Sequence, residues 1–235
     1  AFTMDNVTSI LAPEHAKALW MSLLLAFISS LICLIISLPL ALILRNSKLS
    51  SKGFLVFIFI LPMWMNFLLR TMAWQVLLER GGLINTFFEN IGMPQLQIIN
   101  TPVAVVLGMV YDYLPFMILP IYNSMIKIEN AVIEAAYDLG ATKAKVFKDV
   151  ILPLSVPGIA SGITMVFVPA LTTFAISNML GGGKIYLIGN IIEQEFTTTS
   201  NWNLGSGLSL VMMIFILVTM ELMSRLDKDG DGALI

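Results

Sequence analysis

Few residues in this sequence can do chemistry, and they are thinly spread. Two charged side chains, Arg70 and Asp112, stand inside long apolar runs. An ionisable group there is costly, and by default it marks a functional hypothesis. At ~1.5 Å of helix rise per residue, both lie at similar depths, within roughly ten residues of the same edge of their runs. Two readings stay open: an ion pair between them inside a helical bundle, or an Asp112 carboxylate turned toward a cationic ligand. Trp64, Trp74, Tyr111, Tyr113 and Phe116 offer faces to a cation, or else pack in the bundle and mark membrane interfaces. Trp64 is favoured for a path, because Pro62 just before it frees backbone carbonyls where a helix can break. Glu193 and Glu195 add carboxylates that form either an acidic vestibule or a solvated face. Trp64, Asp112, Tyr113 and Glu193 are thus the candidate path residues.

Other chemistries are excluded. His15 is the one histidine and Cys33 the one cysteine, so a His-rich metal site and an intrachain disulfide are both ruled out. No Ser/His or paired-carboxylate constellation lies within the apolar runs, which argues against an intramembrane enzyme. Gly181-Gly-Gly-Lys184 is followed by Ile185 and lacks the spacing of a nucleotide-binding loop. The tail Asp227-Lys-Asp-Gly-Asp-Gly232 imitates the first half of a calcium loop. The chain ends before the bidentate glutamate such a loop needs, so it reads as an acidic tail. A net charge of −2 leaves no nucleic-acid footprint.

The elements that carry these residues are membrane spans. Hydrophobic residues make up 57% of the chain and charged residues 12%, whereas a soluble domain carries about 25% charged residues. Mean hydropathy is +0.88. The fold class is all-α, a single polytopic bundle over 1–235. The expected spans are 19–44, 54–78, 102–126, 153–178 and 204–223, each able to cross a bilayer that needs ~20 apolar residues. Residues 83–101 read as a loop with a short interfacial helix. Residues 185–196 read as an amphipathic helix, with Ile185, Ile188, Ile192 and Phe196 opposite Asn190, Glu193 and Gln194. Arg45, Lys48, Lys52, Lys127, Lys143, Lys145, Lys148, Arg225 and Lys228 fall on one face of this topology. Only Lys17, Arg80 and Lys184 fall on the other. The positive-inside rule then places 127–152 in the cytoplasm and residue 1 outside. An outside start without an export signal leads us to expect one further span before Ala1.

The segment 127–152 is the polar exception. Gly140 is suited to end one helix in a left-handed conformation, and Thr142 to start the next. Pro153 suits the first turn of the following apolar helix. Small residues at Ala135, Ala136, Ala141 and Ala144 let another surface come close. The plain alternative is a solvated loop with ordinary charge pairs.

Glu134-Ala135-Ala136, then Gly140, then Val150-Ile151-Leu152-Pro153 resembles the EAA loop of ABC importer permeases. Val150 stands where that pattern has Ile. Further segments resemble the spermidine/putrescine type: Phe2-Thr-Met-Asp-Asn6, Leu61-Pro-Met-Trp-Met-Asn66, Leu114-Pro-Phe-Met-Ile-Leu-Pro120 and Leu187-Ile-Gly-Asn190. The resemblance implies a type I ABC importer permease in the bacterial inner membrane, and it too implies a further span at the amino end. It implies a coupling role for Glu134, Ala135, Ala136, Asp138, Gly140 and Ala141, seated on a cytoplasmic ATPase dimer. It also implies a second permease subunit, an extracytoplasmic binding protein, surrounding lipid, and a polyamine cargo moved by alternating access. No cofactor is expected on this chain; ATP and Mg would serve the partner ATPase. The alternatives are a permease for an amino acid or oxyanion, and a secondary transporter. An anion path should carry more basic residues near the midplane than Arg70 alone, and a secondary transporter should show inverted repeats.

Overall fold

The computed structural model describes residues 9–46 and 57–231, and every regular element among them is helical. Phe2–Asn6, Lys48, Lys52, the expected start of the second span at 54 and Gly232 lie outside the described residues. Helix α1 spans Pro13–Asn46, opening on a proline whose missing N–H is harmless at that position. Its 34 residues extend about 51 Å, well beyond a hydrocarbon core of about 30 Å.

The second expected span is not one helix. Phe57–Trp64 ends in a 3-10 turn at Leu61–Trp64, and α2 begins afresh at Phe67 and runs to Leu78. Pro62 removes a backbone donor at that turn. Asn66 then caps α2, its side-chain oxygen accepting from Leu68 N–H at 2.8 Å. Helix α3, Leu83–Asn90, is a short helix within the stretch 83–101. Helix α4, Pro102–Lys127, is continuous through Pro115 and Pro120.

The polar segment folds as α5 (Asn130–Asp138), a turn, and α6 (Lys143–Val146). The chain then widens into a π turn, Phe147–Ile151, and closes with Leu152–Leu154. Pro153 therefore does not open the next apolar helix. That helix, α7, starts at Val156 after a bend of 65° and ends at Thr172. A proline ring crowds the carbonyl four residues earlier. The turn before Pro153 relaxes accordingly, with Leu152 N–H reaching Phe147 O. The fourth expected span is also interrupted at Thr173–Phe174, and α8 continues over Ala175–Gly181. Helix α9 spans Ile188–Thr197 and α10 spans Trp202–Asp231. Among the described residues, three helices are long and apolar enough to cross a membrane, or up to five if each bent pair counts as one span.

The chain divides into two units. One comprises Ala1–Ser30, Met63–Asp112 and Phe167–Leu217. Its interior holds Leu25, Met109, Leu171, Ile176, Leu180, Leu187 and Ile188. The other comprises Leu31–Pro62, Tyr113–Val166 and Val218–Ile235. It is built on the buried face of α4, with Met117, Ile118, Ile121 and Met125. In lipid, helices associate by close packing rather than by escape from water. Gly158 of α7 shows this: a Cβ there would stand 2.6 Å from Pro120 O and 2.5 Å from Ser124 Cβ. The Ser124 hydroxyl also donates to Leu154 O at 3.3 Å.

Candidate functional site

The motif residues Glu134, Ala135, Ala136, Asp138, Gly140 and Ala141 come together on one helix and the turn that ends it. Gly140 takes φ +80°, a conformation that L side chains rarely adopt. Ala141 N–H bonds Ala136 O at 3.1 Å and Gly140 N–H bonds Tyr137 O at 2.8 Å, the paired pattern that closes a helix through a left-handed residue. Thr142 then caps α6, its hydroxyl accepting from Lys145 N–H at 3.4 Å. Helix α5 buries none of its residues. Glu134, Ala135, Asp138 and Gly140 are exposed, and Ala136 and Ala141 are half-buried. Leu139, at the tip, is 89% exposed. Val132 and Tyr137 of the same segment are exposed as well, so three large apolar side chains of this short polar segment are uncovered.

In the first unit, Arg70 and Asp112 form a buried pair, with Arg70 Nε 3.3 Å from Asp112 Oδ1. The Thr71 hydroxyl donates to Asp112 Oδ2 at 3.1 Å. The pair is incompletely satisfied: Nε and Oδ1 are close but not aligned as a hydrogen bond, and Arg70 Nη1 has no hydrogen-bond partner among the described residues. Beside it, Trp74 and Tyr111 meet edge to face with centroids 5.3 Å apart. The ion pair is present in the structure, and the Asp112 carboxylate is engaged by Arg70 and Thr71.

Glu193 is half-buried and lines a cavity of about 550 Å³ with Phe174, Phe196, Met212 and Thr172. Its Oε1 accepts from Thr197 at 3.0 Å. The site lies beside the interruption between α7 and α8, and Asn190 fixes that interruption. Asn190 Nδ2 donates to Phe174 O at 3.1 Å and to Asn178 Oδ1 at 2.7 Å, while its Oδ1 accepts from Leu187 N–H at 2.9 Å. A Cβ at Gly189 would lie 2.5 Å from Thr172 O, so glycine is needed for this approach. Asn190 is therefore buried and structural, not part of the polar face the amphipathic pattern assigned to it. Its partners lie up to sixteen residues away in the chain, beyond the reach of a local periodicity.

Trp64 is 77% exposed on the 3-10 turn that interrupts the second span. Tyr113 is half-buried on α4. Asp112 thus joins Arg70 and Thr71, Glu193 joins the aromatic cavity, and Trp64 stands at a helix break. Leu139, Thr71, Asn190 and Arg45 went unread for site or structural roles. Of these, Asn190 lies in the segment Leu187–Asn190 and Leu139 in the polar segment 127–152, both singled out in the sequence.

Interrupted apolar helices, with one polar helix–turn–helix segment between them in the chain, define a polytopic membrane protein. The chain belongs to the family of binding-protein-dependent transport system inner membrane components, whose pattern matches residues 34–229. It is 37% identical over 228 residues to the spermidine/putrescine transport system permease protein PotB of Haemophilus influenzae, covering 96% of this chain and 80% of that one. It is 38% identical over 215 residues to PotB of Escherichia coli K12, covering 91% and 78%. Identity to the inner membrane ABC transporter permease YdcU of E. coli is 28%, over 95% of this chain and 76% of that one. Among solved structures, a bacterial ABC transporter importing alginate superposes with TM-score 0.82 at 16% identity, covering 97% and 84%. The methionine transporter MetNI superposes with TM-score 0.66 at 18% identity, covering 92% and 95%. The fold is that of a type I ABC importer permease in the inner membrane.

Proposed function

We propose that this chain is the permease subunit of an ATP-driven polyamine importer. In this reading a cytoplasmic ATPase dimer, using ATP and Mg, docks on α5 and its turn. A second permease completes the path within the lipid bilayer, and an extracytoplasmic binding protein delivers spermidine or putrescine. The observation that carries the reading is the exposed tip at Leu139, followed by the left-handed turn at Gly140, on the helix that carries Glu134. ATP binding draws the docked loops together, the spans tilt outward, and hydrolysis resets them. The whole chain acts as one permease domain. The similarity to the PotB proteins supports the polyamine cargo.

Within the path, Trp64 and the Glu193 cavity supply what a flexible polycation needs, aromatic faces and a carboxylate. Tyr113 adds a further ring beside Asp112, and Asp112 acts by holding Arg70. The test is co-purification with the ATPase, second permease and binding protein, followed by ATP hydrolysis in the presence of spermidine or putrescine. Hydrolysis should rise with polyamine, and Trp64→Ala and Glu193→Gln should raise the polyamine concentration needed for half-maximal stimulation. An intact assembly that ignores polyamines but responds to an amino acid or an oxyanion would overturn the cargo and leave the permease role standing.

A further inference from the structure

The entry to α5 is a short stretch of chain. Helix α4 ends at Lys127 and α5 begins at Asn130, leaving only Ile128 and Glu129 between them. The cap at Glu129 makes no side-chain hydrogen bond. A push on α5 would be absorbed by rotation in such a joint unless something else held it. Arg45, in the last turn of α1, does so. Its Nε donates to Met125 O at 2.8 Å, and its Nη2 donates to Ile128 O at 2.9 Å and to Asn130 Oδ1 at 3.2 Å. Met125 O belongs to the last turn of α4, where a cation is favoured, and besides Arg45 it accepts from Ile128 N–H at 3.3 Å. Ile128 O lies in the linker, and Asn130 is the first residue of α5. One planar guanidinium therefore bridges three consecutive parts of the chain from a fourth that is 80 to 85 residues distant.

We infer that Arg45 is a positioning residue of the transport cycle, clamping the start of the coupling helix to the ends of α1 and α4 so that all three move as one body. The inference rests on the coupling role proposed above for α5. The residue type matters: a rigid fork with five donors can hold two carbonyls and an amide oxygen at once, whereas a lysine ammonium on a flexible stem cannot fix their mutual angle. At the exit from the loop, Lys143–Leu154 is continuous helix up to the bend before α7, where the Ser155 hydroxyl donates to Ile151 O at 2.7 Å.

The test uses the complete transporter in proteoliposomes with Arg45→Gln, Arg45→Lys and Asn130→Ala. Molecules of ATP hydrolysed per polyamine imported should rise about five-fold or more in Arg45→Gln, and less in the other two, with similar amounts of assembled complex. A purely structural cap would lower assembly or melting temperature and leave that ratio unchanged. The second measurement does not depend on cargo. On a Cys33→Ala background, spin labels at exposed Ile43 and Val132 report the separation of the α1 end from α5. With Arg45 present, one narrow distance should persist with and without nucleotide; in Arg45→Gln it should broaden and become nucleotide-dependent. An unchanged transport ratio together with an unchanged label distance overturns the clamp. If the native complex imports no polyamine, the cargo proposal fails while the label measurement still decides the role of Arg45. If Arg45→Gln fails to assemble, Arg45→Lys, which keeps the charge, decides it by the same two readouts.

Discussion

Asp112→Asn separates the two uses to which that carboxylate can be put. The substitution keeps size and leaves an amide able to accept from Thr71, but it removes the charge opposite Arg70. The pair is 3.3 Å apart, with side chains 7% and 3% exposed. At an effective dielectric of about 20, unit charges at that distance attract by about 5 kcal/mol, against which stands the cost of desolvating both. Breaking one partner of a buried pair typically costs about 3–5 kcal/mol, because the other charge is stranded. For a chain of this size, about 2–4 °C accompanies each kcal/mol, so the melting temperature should fall by roughly 10 °C. Arg70→Met combined with Asp112→Leu should recover most of that loss, since an apolar pair of similar volume carries no stranded charge. Thermal unfolding of the purified protein in lipid nanodiscs measures both variants against the native protein. An Asp112→Asn protein melting within about 2 °C of the native one while polyamine uptake collapses would refute the ion-pair account and return the carboxylate to the cargo.

Two further expectations are independent of that pair. Leu139→Asp should leave stability unchanged, because its side chain is 89% exposed, yet weaken ATPase binding by about 10–100-fold if its burial at the interface contributes about 1.5–3 kcal/mol; titration of the ATPase into permease-loaded nanodiscs measures this, and unaltered affinity would remove Leu139 from the interface. Gly158→Val should cost about 1–3 kcal/mol by overpacking against Pro120 and Ser124, read as a lower melting temperature, and a neutral result would mean that the α4–α7 contact yields without strain.

The helix–turn–helix of the polar segment is legible in the sequence because its determinants are local. A glycine at the required left-handed position, a threonine cap two residues later and small residues before them act within one or two turns. The interruption near Trp64 was foreshadowed for the same reason, by Pro62. The interruption at Thr173–Phe174 carries no proline of its own. It is fixed by Gly189 and Asn190, which approach from another helix, so the segment read as one span. Arg70 and Asp112 could be matched in depth from helix rise alone. Whether they face each other depends on helix rotation, which one chain's hydropathy leaves open. Arg45 was counted only as a charge favouring the cytoplasmic side, since two of its three partners are backbone oxygens and those carry no residue-type signal.

The bare tip at Leu139 also bears on how much of this chain can accumulate. Before assembly, it leaves an apolar side chain in water at the end of a stiff turn. In the assembly proposed above, such a group is covered only when the ATPase docks, so copies made in excess would stay open to self-association and to the proteases and chaperones that sample exposed apolar groups. On that proposal the surviving amount of permease would follow the supply of its ATPase, and the same leucine would tie the stoichiometry of the machine to its docking.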